Sequence, residues 1–396
     1  MIAGPQKSQF HKALDLLSEK LLEDELAIGL AFPYVTGADG AWLTMLASES
    51  ASYKGERWSH GNWFCGFWVG LLLAAYLHTG RERFRELADE RMRLIAHRAD
   101  DPNTHDLGFI FNSSAVPGGH IAGGGWYVDL ALRAANRLRA RIITTMKGAY
   151  VSSWGPLSDP RGRRSSAIDT MANLPLLYWA ADTSKDGSFR LAGEAHALTT
   201  RNAFVRPDMS TFHAVEYDDV SGERIRAYTF QGAADESCWS RGQAWAILGF
   251  AATACATGKR EYLELAERLT DYFLSRLRDD SAPYWDFDDP AIPNAPRDTS
   301  ASAIVATALL DIADLHPDSF AAETRRQQGV RLLERLCSDH LALGSAQRGL
   351  LKHGCYSRPH NEGTDCAVLF GDFYFVEALC KVLMPGCLRT PVKRFT

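Results

Sequence analysis

Stretches almost free of charge alternate with strongly charged ones along most of the chain. In "GFWVGLLLAAYLHTGRERFRELADERMRLI" (66–95), aromatic and small apolar residues run up to a Thr-Gly-basic break. A second run follows, with apolar residues at helical spacing and charged residues on the other face. "GQAWAILGFAATACATGKREYLELAERLTDYFL" (242–274) repeats the scheme. "SAIDTMANLPLLYWAADTSKDGSFRLAGEAHAL" (166–198) and "SASAIVATALLDIADLHPDSFAAETRRQQGVRLLERL" (300–336) follow it more loosely. A fifth pair is expected over 107–140 with "PGGHIAGGG" as its turn, and single helices over 8–24 and 364–383. The pattern predicts about twelve helices in pairs, uncharged members inside and charged members outside, as in a closed ring of hairpins. Repeat lengths of roughly 40 to 70 residues are too uneven for an open solenoid. The expected fold is all-α, an (α/α)6 barrel built as a toroid of six helical hairpins, with residues 1–396 as a single domain.

Segments without helical period separate the pairs: 25–62, 99–106, 143–165, 202–238, 279–299 and 340–363. "TFHAVEYDDVSGERIRAYTFQG" (211–232) reads as a short β-hairpin around Ser221-Gly222. In a ring of hairpins the loops entering the inner helices gather at one end, and functional side chains are expected there.

Composition narrows the function classes. The 396 residues carry 43 basic and 48 acidic side chains, a formal charge of −5, with no long run of either sign. That speaks against nucleic-acid and membrane surfaces as partners. Ten Trp, 13 Tyr and 19 Phe offer flat apolar faces suited to sugar rings as well as to core. The eight cysteines form no CxxC pair, and several, Cys255 and Cys380 among them, lie inside apolar helical runs. They read as reduced core thiols, neither a disulfide framework nor a zinc site. No His/Cys/Asp cluster has ligand spacing, so neither metal nor cofactor is expected. "MIAGPQKSQFHKALDLL" lacks the apolar core of a signal peptide, and no run is long enough to span a membrane. A cytoplasmic monomer or homodimer is expected.

Candidate chemistry collects at the predicted starts of inner helices. Asp169, in "AIDTMANLPLLYWA", stands among apolar neighbours in the first turn of its helix, on the same face as Asn173. A carboxylate taken out of water without a partner tends to keep a proton, the state a general acid needs. "HDLGFIF" sets His105 and Asp106 just ahead of another apolar helix. "QGAADESCWSRGQAW" supplies Gln231, Trp239, Arg241 and Trp245, with His213 in the preceding strand-like loop and Trp154 in "SSWGP". Each alone is ordinary; together they gather two acids, a guanidinium, two imidazoles, an amide and several indoles at helix mouths.

These residues stand in motifs that resemble the unsaturated glucuronyl hydrolases of glycoside hydrolase family 88. The motifs are "W-x-x-G-F-W-x-G" (63–70), "HDLGF" (105–109), "ID-x-x-x-NLPLLYWA" (168–180), "QG-x-A-D-x-S-x-W-x-RGQAW" (231–245), "DTSASAI" (298–304) and "GD-x-YF-x-EAL" (371–379). They follow the family's order over nearly the whole chain. The resemblance implies an (α/α)6 barrel that removes a 4,5-unsaturated uronic acid from the non-reducing end of lyase-generated oligosaccharides. It implies that the C4=C5 vinyl ether is hydrated, with no attack on the anomeric carbon. By position, Asp169 matches the family's general acid/base and Asp106 its supporting aspartate. His213, Thr229, Gln231, Trp239, Arg241 and Trp245 would line the sugar pocket beside His105, and Trp154 would stack on the next sugar. Arg241 is the leading candidate to hold the substrate carboxylate with its planar fork, unless it pairs with an acid of the barrel wall. The glycine-rich "PGGHIAGGG" departs from the family, and "KHGCYSRPHNEG" (352–363) carries no readable assignment.

Three other readings compete; one, a non-catalytic helical scaffold that binds a protein partner, would not need a carboxylate buried beside Trp and Arg. An unsaturated rhamnogalacturonyl hydrolase would run similar chemistry on pectin fragments; the "QG…W-x-RGQAW" wording favours the glucuronyl type. A sugar epimerase on the same toroid would work through paired histidines, whereas the strongest matches here are two aspartates.

Overall fold

The computed structural model describes residues 4–49, 61–277 and 281–388. α1 (Gly4–Ala27) and the hairpin β1 (Phe32–Thr36) and β2 (Trp42–Met45) come first, then α2 (Cys65–Thr79) and α3 (Glu82–Ile95). Next follow α4 (Leu107–Asn112), α5 (Ala115–Ala122), α6 (Gly125–Arg139), β3 (Ile142–Thr144), β4 (Ala149–Val151), α7 (Pro160–Arg164) and β5 (Ser165–Ala167). α8 (Thr170–Ser184) and α9 (Ser188–Phe204) precede the hairpin β6 (Ala214–Tyr217) and β7 (Arg224–Tyr228). α10 (Ser240–Thr257), α11 (Arg260–Leu277), α12 (Thr299–Leu315), α13 (Ser319–Arg335), β8 (Gly354–Ser357), β9 (Glu362–Cys366) and α14 (Leu369–Leu383) complete the order.

The helices form the two concentric rings expected. α2, α4, α8, α10, α12 and α14 contact one another in that order, and α14 returns to α2, closing the inner ring. α1, α3, α6, α9, α11 and α13 back them. Composition explains the division: α10 and α12 are buried almost end to end, whereas α3 and α11 bury one stripe and leave their charges outside. Small residues let the inner helices approach closely. A Cβ added at Gly66 would collide with Ile110, at Gly108 with the Asn173 backbone, and at Gly249 with Met171. The Thr-Gly-basic breaks end α2 and α10: Gly80 (φ 68°) and Gly258 (φ 70°) take the left-handed conformation, and their N–H groups bond Tyr76 O and Ala254 O.

Several expectations need correcting. "PGGH" is not a turn; it lies inside α5, and the chain turns at Gly123 (φ 65°). The fifth inner member is therefore broken into α4 and α5. Residues 362–366 belong to strand β9, so the last helix starts at Leu369 instead of 364. The first helix is longer than expected at both ends. Cys255 is exposed rather than core, although the described cysteines all remain free thiols. The hairpin around Ser221-Gly222 is present as β6–β7 and extends to β5 in a three-stranded antiparallel sheet. No helix among the described residues is long and apolar enough to cross a membrane.

Candidate active site

The inner helices α4, α8, α10 and α12 begin at one mouth, where Asp106, Asp169, Trp239 and Asp298 are their N-cap residues. Helix N-termini that converge favour negative charge between them. Sheet register then sets the neighbours of Asp169. Ala167 pairs with Ala214, and one step further the Ile168 N–H donates to His213 O at 2.8 Å. The next residue on one side is Asp169, so strand pairing delivers His213 beside it.

Asp169 occupies the N-cap position without using its side chain as a cap. Its backbone is held by Asn173, whose Nδ2 donates to Asp169 O (3.1 Å) while its Oδ1 accepts from Phe109 N (2.6 Å). This one amide ties α8 to α4. The Asp169 side chain is 16% exposed, and its buried Oδ2 has no hydrogen-bond partner among the described residues. Burial raises its pKa to about 7, against the pull of Arg241 and with a further push from Asp106.

Facing it, His213 Nε2 lies 3.7 Å from Asp169 Oδ2 and also has no hydrogen-bond partner among the described residues. On the far side of the ring, Nδ1 meets Thr229 Oγ1 (2.9 Å) and the Gln231 N–H (3.4 Å). A backbone N–H can only donate, and Thr229 Oγ1 already accepts from Gly232 N (2.7 Å), so its own proton is directed at the imidazole. Nδ1 is therefore an acceptor and the ring proton sits on Nε2, pointing at Asp169. Burial drives the His213 pKa well below its ordinary value, so the ring is neutral. Phe230 and Trp239 flank it at centroid distances of 4.0 and 4.4 Å.

Asp106 is better supplied. Thr104 Oγ1 donates to its Oδ2 (2.8 Å), and His105 Nε2 lies 3.3 Å from its Oδ1. Burial still raises its pKa, to about 6. His105 is fixed from behind by Thr170 Oγ1 at 2.6 Å. Trp154, partly exposed, pairs through its backbone with Thr104 and meets Phe230 edge-on at 5.0 Å. The buried Arg141 binds Ser152 O (2.8 Å), Ser152 Oγ (2.8 Å), Gly155 O (3.1 Å) and Pro102 O, so one guanidinium joins the loops that carry Trp154 and Asp106.

Arg241 is not the free fork expected. It is 1% exposed; Nη1 binds Asp298 Oδ2 at 2.8 Å and Cys355 O, and Nη2 binds Tyr356 O. Trp239 and Phe370 hold its plane at 4.4 and 4.9 Å. The wall-pairing alternative describes its geometry. Trp245, expected to line the pocket, is fully buried against Phe109 and Tyr374, with its indole N–H unpartnered among the described residues. Gln231 turns its amide to Tyr356 O (3.3 Å).

Sequence reasoning passed over four residues that the fold brings to this region. Asp298 carried a signal, the Asp-x-Ser of a helix cap. Trp63, partly exposed and stacked on Phe370 at 5.2 Å, stood in a quoted motif. Phe230 adjoined Gln231. Tyr356 participates through a backbone carbonyl, which no side-chain pattern announces.

No family model matches the chain. Among characterised proteins, the unsaturated glucuronyl hydrolase of Bacillus sp. (strain GL1) is 36% identical over 334 residues, 81% of this chain and 86% of that one. The unsaturated chondroitin disaccharide hydrolase of Streptococcus agalactiae is 31% identical over 327 residues, 81% of each. The crystal structure of the Bacillus sp. GL1 hydrolase superposes with a TM-score of 0.87 at 31% identity, over 96% of this chain and 99% of that one. An unsaturated glucuronyl hydrolase specific for heparin gives 0.84 at 27% identity, over 97% and 100%. With its closed double ring and this agreement over most of its length, the chain belongs to the unsaturated glucuronyl hydrolases of glycoside hydrolase family 88.

Proposed function

We propose that this glycosidase takes lyase-generated oligosaccharides ending in a 4,5-unsaturated uronic acid, and that Asp169 starts the reaction by protonating C4 of the vinyl ether. The ring oxygen then carries the positive charge developing at C5, and water adds there. Asp169, now a carboxylate, accepts the water proton, so a single group serves as acid and then base. The hemiketal at C5 opens to a ketone, and the freed C1 hemiacetal releases the second sugar. No bond from enzyme to sugar forms, so the carboxylate-spacing rule for retaining and inverting glycosidases does not apply.

The observation that carries this reading is the Asp169 carboxyl at the mouth of α8, partly exposed and with its inner Oδ2 unpartnered among the described residues. A carboxyl that holds its proton to about pH 7 and keeps part of its side chain exposed has a proton to give to substrate. His213, neutral and with its Nε2–H toward Asp169, supplies a donor to the carboxylate left behind. Asp106 keeps negative charge near Asp169 and so favours its protonated form. The converging helix N-termini suit the uronate carboxylate, a role in which Arg241 contributes its charge from within the wall. Trp154 and Trp63 offer partly exposed indole faces for sugar rings.

The deciding experiment follows the ultraviolet absorbance of unsaturated uronyl disaccharides. Loss of the vinyl-ether band with release of the second sugar is expected, faster on glucuronyl than on rhamnogalacturonyl substrates. Epimerisation would leave the band unchanged and would overturn the reading.

A further inference from the structure

Beside Asp169 and Asp106 lies a third carboxylate, with no part in the chemistry above. Asp298, the N-cap of α12, is fully buried. Its Oδ1 accepts from Ser300 N (3.1 Å), Ser300 Oγ (2.5 Å) and Cys355 N (3.3 Å), and its Oδ2 from Arg241 Nη1 (2.8 Å). Arg241 in turn binds the carbonyls of Cys355 and Tyr356 on β8 and is stacked between two rings. We propose that Asp298 is a positioning residue for vinyl-ether hydration: it clamps the Arg241 guanidinium between α10, α12 and β8, and balances its charge beside the acid.

The charges around the site allow this balance to be followed. Asp169 is faced by Asp106 from α4, by His213 ahead of β6 and by Arg241 from α10. His213 is neutral, so the cation opposing protonation of Asp169 is Arg241. Arg241 meets Asp298 from α12 and, from β8, Cys355, whose thiol burial pushes up to about 12. That thiol stays neutral, leaving Asp298 as the carboxylate paired with Arg241 among the described residues. A buried guanidinium without its counter-ion would hold the Asp169 carboxylate ionised to lower pH, and the acid would be spent before neutrality.

The inference rests on Asp169 as the acid, and its test separates the two ideas. kcat/KM is measured from pH 5 to 9 for wild type, D169N, D298N and R241Q. Wild type should lose activity as pH rises through the Asp169 transition. In D298N this limb should move down by about 1 pH unit, and in R241Q up by a similar amount, the size expected for a neighbouring charge. Should D298N fail to fold, R241Q/D298N replaces it, with its limb expected below that of R241Q. A purely structural role would lower both profiles and leave the limb in place, which overturns the inference. An active D169N would overturn the reading of Asp169, and this inference with it; an inactive D169N beside an unmoved D298N limb overturns the inference alone.

Discussion

The mouths of α8 and α12 put the same side chain at the same helix position and treat it in opposite ways. At α12, Asp298 caps its own helix, meets a guanidinium and takes a strand N–H, and none of it reaches solvent. At α8, Asp169 declines its own helix N–H groups, turns an oxygen that is partnerless among the described residues toward His213, and keeps its side chain partly exposed. One aspartate is satisfied by its partners; the other is left to hold a proton. Asp372, in the first turn of α14, shows that a raised pKa alone does not mark an acid. Burial lifts it to about 7 as well, but its oxygens accept from Leu350 N (2.8 Å) and Leu351 N (2.9 Å). What distinguishes Asp169 is the combination of a held proton, an idle oxygen and access.

The largest effect expected from disturbing this contrast is on turnover. D169N should keep the fold and lose about 10²–10⁴-fold in kcat, since an amide neither gives nor takes the proton. The variant should also change how stability depends on pH. In the folded protein Asp169 holds its proton up to about pH 7, in the unfolded chain only to its ordinary 3.8. The stability this contributes is fully present below the unfolded value and is lost as pH rises through the folded one. Thermal melts of D169N should therefore fall less steeply between pH 4 and 7 than those of wild type.

At α12 the damage should appear in stability as well as in the pH limb of activity. D298A strands Arg241 in the wall without its carboxylate, and removing one partner of a buried pair typically costs about 3–5 kcal/mol. Urea denaturation should register that loss, whereas a D169N chain should unfold near the wild-type midpoint at neutral pH. Equal losses in both variants would erase the distinction between the two mouths.

Smaller effects sharpen it. D106N removes a negative neighbour, so the Asp169 transition should move to lower pH, by less than about one unit given that Asp106 ranks behind burial as a cause. The pH profile of kcat/KM reads this directly. W154A removes a partly exposed ring near the helix mouths and should raise KM by about 2–10-fold with little change in kcat; a fall in kcat alone would place Trp154 nearer the reacting atoms.

Much of this was legible in the sequence because it was written in side-chain types. Charge-poor runs alternating with charged ones specify inner and outer helices, and the Thr-Gly breaks specify left-handed caps. Asp169 stands out among Met171, Leu174 and Leu176 because an ionisable group in such company must be explained. The break between α4 and α5 was hidden, since "PGGH" looks like a turn until tertiary packing of Gly118 against Tyr127 holds it helical. The task of Arg241 was hidden too. Its partners come from Asp298 and from two backbone carbonyls of β8, more than 50 residues away in sequence. A guanidinium four residues from an indole reads the same whether it faces substrate or wall.

The claim that the α8 mouth holds its aspartate protonated near neutrality is tested most directly by titrating the side-chain carboxyl carbons of 13C-labelled aspartates by NMR, with the Asp169 signal identified by its loss in D169N. The account predicts a midpoint near pH 7 for that signal, moving lower in D106N. A midpoint near the ordinary 3.8, unmoved by D106N, would contradict it.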